Sequence, residues 1–298
     1  LARMLRHVAH WMSRFPRAAP RWMAVAVLTL GLAGCGLGLV YPRLDSVVGF
    51  YVEGLVTLDE TQSVTLKRTL ASNLEWHRQS ELERYSAFLR DMAETVAGGA
   101  GRDAWLGASR RTEQYWREIF EQAAPGYTAL AATFTDAQVA ELLENLERED
   151  EEAWADFARR KPEQRQARRE KSVRRALERF TGPLTAGQRE LIREHAASSQ
   201  PFMAEWRDNR RVWREALAEA LAQRDSGAPF EARMLVLIAR PDDLWTPAYR
   251  QALERRRESL IDLVVELDAT LSPQQRAAAR RQLLALADEV QGLRRGRG

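Results

Sequence analysis

Four times in 298 residues an apolar side chain is followed by Asp, Thr or Ser, and three positions after that by Gln. The pattern reads Leu58-Asp59-Glu60-Thr61-Gln62, Phe134-Thr135-Asp136-Ala137-Gln138, Leu184-Thr185-Ala186-Gly187-Gln188 and Leu271-Ser272-Pro273-Gln274-Gln275. It describes a capping box, in which the first polar side chain accepts from an amide of the opening turn and the glutamine reaches back to the cap's own amide. Pro273 falls at the first helical position, where a missing N–H costs nothing. Four helix starts spread along the chain constrain it to helices between them.

Each cap is followed by apolar residues at helical spacing. After Asp59 the stripe is Leu70, Leu74, Tyr85, Phe88, Met92 and Val96, ending at Gly98-Gly99-Ala100-Gly101. A further helix is expected from Asp103 toward Pro125. After Thr135 come Val139, Leu142, Leu146, Trp154 and Phe157, with Pro162 dividing the run. Leu191, Ile192, Met203, Trp206 and Leu217 follow Thr185, and the last stripes contain Tyr249, Leu253, Leu260, Val264 and Leu267, then Leu283, Leu286, Val290 and Leu293. Nothing alternates with a period of two for long, so the expected fold is all-α, an elongated or curved multi-helix bundle. The first and third caps lie 126 residues apart and the second and fourth 137, which allows an internal duplication with halves at 58–180 and 184–293.

The opening of the chain is written differently. Residues 1–34 hold Arg3, Arg6, Arg14, Arg17 and Arg21 and no acid, turn apolar from Trp22, and end in Leu32-Ala33-Gly34 before Cys35, the one cysteine. That order is a secretory signal, and the last four residues resemble the lipobox of bacterial lipoproteins. The resemblance implies cleavage before Cys35 and acylation of its thiol. With Gly36 next instead of aspartate, it also implies attachment to the outer membrane, facing the periplasm. A retained inner-membrane anchor is the alternative, since Trp22 to Tyr41 is uncharged and about 20 residues cross a bilayer. The expected plan is a signal peptide over 1–34, a lipidated anchor and apolar aromatic segment over 35–57, a helical domain over 58–293 and a disordered tail over 294–298. The formal charge of +3 includes the five leader arginines, so the remainder stands at about −2. The basic balance therefore belongs to the address and makes no case for nucleic acid.

The cap pattern resembles the Leu-Thr-x-x-Gln motif of the Spy and CpxP type of periplasmic helical chaperones, which implies a cradle for unfolded polypeptide. A second resemblance rests on the lipobox, the aromatic stretch from Tyr41 to Val56, Leu58-Asp59 with Gln62, and Trp76-His77-Arg78 followed by Glu81-Leu82 and Tyr85. Over residues 32–90 these are similar to an uncharacterised family of proteobacterial helical lipoproteins, which implies an address and no mechanism.

Candidates for chemistry are few. His77 and Glu81, four apart on the Leu70 stripe, are expected to be a polar pair that fixes helix packing, or else an acid–base pair. No cofactor or metal is expected, because only His195 remains as a further ligand once Cys35 is acylated. There is no Gly-rich phosphate loop and no G-x-S-x-G turn, so an enzyme is not expected. The helix from Asp136 places Glu141, Glu144, Glu147, Glu149, Asp150, Glu151 and Glu152 ahead of Arg159, Arg160, Lys161, Arg165, Arg168, Arg169, Lys171, Arg174 and Arg175. Such runs are solvated faces or, in the functional reading, a strip for an anionic partner. The expected activity is non-enzymatic binding of polypeptide or envelope partners, as a chaperone-like or stress accessory protein, with a structural adaptor as the alternative.

Overall fold

A computed structural model describes residues 37–295, so the leader, Cys35 and residues 296–298 lie outside the described residues. The described part is an all-α multi-helix bundle without strands. It opens with α1 (Leu37–Val40), a 3-10 turn at Tyr41–Arg43 and α2 (Leu44–Leu55). α3 (Glu60–Trp76), a π-helical turn at His77–Glu81 and α4 (Leu82–Gly98) form one continuous rod. Then come α5 (Arg102–Ala132), α6 (Asp136–Ala158), α7 (Pro162–Thr181) and α8 (Ala186–Ser198). The chain finishes with α9 (Met203–Ala222), α10 (Ala228–Ala239), α11 (Pro247–Ala269) and α12 (Pro273–Arg294).

Asp59, Thr135, Thr185 and Ser272 each close a reciprocal capping box with the glutamine three residues on. These glutamines also use their remaining N–H across the bundle. Gln62 donates to the carbonyl of Thr133 and Gln138 to that of Thr57, while the two side-chain amides bond each other. Gln188 donates to the carbonyl of Thr270, Gln275 to that of Pro183, and those two amides pair in the same way. The starts of α3 and α6 are thus locked together by one set of bonds, and the starts of α8 and α12 by its counterpart.

Around the first lock lies the largest apolar cluster, with Val56, Leu66, Leu130, Phe134, Leu146, Leu221 and Phe230 from α3, α5, α6, α9, α10 and the segment after α2. Leu184, Ile192, Leu263 and Leu267 surround the second. A third cluster joins the chain's opening to its end: Tyr41 and Leu82 pack with Val290 and Leu293 of α12. The opening is held to α12 as well by the Leu37 amide, which donates to Glu289 at 3.2 Å.

Two helices run further than the sequence predicts. α5 passes through Pro125 and ends at Ala132. Proline removes the bond to the Glu121 carbonyl, but both residues are exposed, so water takes that carbonyl while Ala124, Thr128 and Leu130 hold the buried face. α12 continues through Arg294, whose guanidinium meets Glu83 at 3.0 Å, so residue 294 belongs to the helix. The π turn is the other departure. Eight α-helical residues from Leu74 to Leu82 would leave those side chains about 80° apart, and one extra residue in the turn brings them nearly into line. The buried row below it is therefore Leu82, Ser86, Ala93 and Val96, not Tyr85 and Phe88.

Candidate functional site

His77 and Glu81 do not face each other as partners. Through Nδ1, His77 pairs with the Tyr41 hydroxyl at 3.0 Å, and its ring stands edge-on to Tyr85 with centroids 5.4 Å apart. Burial lowers its pKa to about 4, so the imidazole is neutral near pH 7, and its tautomer sets which of the two groups donates. Glu81, buried at 2 % exposure, takes both oxygens to Arg84 at 2.9 and 3.0 Å, and Arg84 continues to Glu118. The spacing of four identifies a polar seam, but the π turn turns the two groups toward different neighbours. An imidazole held neutral and a carboxylate engaged by a guanidinium are poor acid–base catalysts.

The acidic and basic halves of the long charged run meet different fates. On α6, Glu151 binds Arg207 at 2.8 Å and Asp150 binds Arg210 at 2.9 Å and Arg214, all from α9. Glu141 accepts from the amide and hydroxyl of Thr57 at 2.9 and 2.7 Å, and the Tyr51 hydroxyl donates to Glu149 at 3.0 Å. Glu147 reaches Arg214 at 3.5 Å. The acids are therefore largely consumed within the fold.

Of the bases, Arg159 and Arg160 both pair with Asp156. Lys161, Arg165, Arg168, Arg169, Lys171, Arg174 and Arg175 make no ion pair among the described residues. Nor do they form one solvated strip. Lys161, Arg168, Lys171 and Arg175 are exposed, whereas Arg165, Arg169 and Arg174 are half-buried. Arg165 bends back to the Arg160 carbonyl at 2.5 Å and stacks 4.5 Å over Phe157, and Arg169 gives Nη2 to the Ala196 carbonyl at 2.9 Å. Buried Nε of Arg174 has no partner among the described residues.

Arg169 turns toward α8 and α11. Beside Ala196 stands His195, with Nδ1 3.3 Å from the Ser259 hydroxyl and Nε2 3.4 Å from that of Ser199. One turn before Ser259, Arg256 lies 5.0 Å over the Phe202 ring. Burial lowers the pKa of Arg256 and of Arg169; Arg169 then depresses Arg256 further, and Arg165 depresses Arg169. His195 is lowered by burial, next by Arg256 and Arg169, with Glu266 opposing more weakly. Arg256 is exposed to solvent, with its guanidinium laid over the Phe202 ring. The stripe Tyr249, Leu253, Leu260 contained the missed signal: Arg256 sits at the spacing of three and four that an apolar residue would fill.

The structure offers less elsewhere. A shallow cleft of about 410 Å³ between α9 and α10 is lined chiefly by Ala216, Ala232, Val236 and Leu237. Among the described residues no group of His, Cys, Asp and Glu could hold a metal ion, and no helix is long and apolar enough to cross a membrane.

A family of unknown function, DUF6279, matches residues 54–250. The chain belongs to this family. No curated protein and no solved structure matches it. The DUF6279 match begins at the end of α2 and takes in the first lock, the charged run of α6 and α7, and all of α8. Arg165, Arg169 and His195 fall within the DUF6279 span, and Arg256 and Ser259 follow it.

Proposed function

We propose that this protein is a lipid-anchored binding protein of the bacterial envelope, held at the periplasmic face of the outer membrane through Cys35, which engages a protein partner on the basic face of α7 and catalyses no reaction. The observation that carries this reading is the unequal use of charge: most of the acids of α6 find partners inside the fold, whereas seven bases from Lys161 to Arg175 find no carboxylate among the described residues. Charges left unpaired in a chain so rich in ion pairs are available to something else. The lipobox resemblance supports the anchor, and Leu37 and Tyr41, at the start of the described residues, pack on α12 and α4.

Within this reading the adaptor version has the better support, and the holder of unfolded clients the weaker. Clients need a broad apolar surface, whereas the exposed large apolar residues Phe50, Val64, Leu235 and Leu260 belong to four different helices. In-cell photocrosslinking from positions 168, 171 and 175 tests the proposal. One dominant folded partner is expected, with crosslinks lost in Cys35→Ala; no protein crosslink at any of the three positions would overturn it.

A further inference from the structure

We propose that Arg169, Arg256 and His195 form a recess for the carboxylates of an acidic polypeptide segment. The inference rests on the partner-binding reading above and names the chemistry by which the partner is held. Three helices converge there: α7 supplies Arg165 and Arg169, α8 supplies His195, and α11 supplies Arg256 and Ser259.

The donors are already placed. Arg169 is held by the Ala196 carbonyl at 2.9 Å, Arg256 by the face of Phe202 at 5.0 Å and Arg165 by that of Phe157 at 4.5 Å. Guanidinium groups fixed in this way lose little freedom when they take a planar carboxylate. Gathering them without an anion is unfavourable: after burial, Arg165 depresses Arg169 and Arg169 depresses Arg256. The titratable groups facing the recess are Arg165, Arg169, His195, Arg256, Tyr249 and Glu266. Glu266 is the one carboxylate among them, and it acts on His195 more weakly than either arginine.

Lipid headgroups are less well placed to fill the site. Arg179, near Glu289, marks the end of α7 on the side where the Leu37 amide meets Glu289, at the start of the described residues. Arg169 lies ten residues up that helix, about 15 Å away along its axis. A single phosphate would use one part of the array. Arg165 and Arg169 are one turn apart, about 6 Å, which matches the spacing of about 6.6 Å between alternate residues of an extended chain. An extended segment with an acid at every second position therefore meets both.

The test is fluorescence anisotropy of a labelled (Glu-Ser)6 peptide with the full chain in non-ionic detergent. Arg169→Ala/Arg256→Ala should weaken binding by at least about tenfold, while Lys67→Ala/Arg68→Ala, which removes as much charge from α3, should change it by less than about twofold. Circular dichroism verifies the fold of each variant. Equal losses in the two double variants would overturn the recess. Binding of inorganic phosphate or of anionic vesicles at Arg169 and Arg256 in place of the peptide would also overturn it. Cellular crosslinks retained in Arg169→Ala/Arg256→Ala count against the recess alone; crosslinks absent while the peptide still binds count against the partner reading alone.

Discussion

Gln62 and Gln138 bond each other in both directions, amide nitrogen to amide oxygen, at 3.1 and 2.6 Å. Gln188 and Gln275 repeat the relationship at 3.0 and 2.9 Å. A capping side chain normally serves one helix end; here it serves two, because a carboxamide has two donors and two acceptor sites to distribute.

The second pair is the drier, with Gln188 1 % and Gln275 7 % exposed. Gln188→Ala therefore strands the Thr185 amide, the Thr270 carbonyl and the Gln275 amide together, and is expected to lower stability by about 2–4 kcal/mol in urea unfolding. A double-mutant cycle with Gln275→Ala should give a coupling of roughly 1 kcal/mol or more.

Gly126 lets α5 approach α3. A Cβ at this position would come within 2.4 Å of Thr69 Cγ2 and 3.1 Å of its Oγ1. Gly126→Ala should destabilise by about 1–3 kcal/mol despite alanine's better helix propensity. Thr69→Ala in the same chain should recover most of the loss, which thermal unfolding of the single and double variants will show.

Acid sensitivity should trace to His77. Its folded-state pKa near 4 lies below the ordinary value of 6.5, so the unfolded chain binds more protons between those limits. Stability is then lost as pH falls from about 6.5 to 4, by on the order of 3 kcal/mol at most. His77→Phe should flatten this part of the stability–pH curve, whatever it does at pH 8.

Arg256 is expected to oppose folding. Its charge is desolvated and faces Arg169, so Arg256→Gln should raise Tm by a few degrees at low ionic strength, an effect moderated by solvent screening. High salt should reduce the gain by the share that comes from Arg169 and leave the share from desolvation. A site kept at the expense of stability is characteristic of a surface retained for binding.

What the sequence discloses divides by range. Helix starts are legible because a capping box closes within four residues, and Pro162 at the first position of α7 marks its own boundary. Pro125 misleads because its fate depends on which face of α5 meets water. The pairing of Gln62 with Gln138 is hidden because it spans 76 residues and depends on how two loops meet. His77 and Glu81 show their polarity but not their partners, since a π turn leaves no periodic trace. The recess needs α7, α8 and α11 brought together; along the chain, only an arginine occupying an apolar beat hints at it.

The added residue at His77–Glu81 makes the rod from Glu60 to Gly98 answer to two masters. Above the turn, Leu66 and Leu70 belong to the main core, and below it Leu82 and Val96 belong to the face that receives α12. Winding the same residues as regular α-helix would rotate everything downstream by about a quarter turn, carrying polar side chains to where the final helix docks. Loss of the extra residue, by contrast, would leave an ordinary helical turn with the downstream face still in place, so a one-residue gap among relatives is expected at this joint.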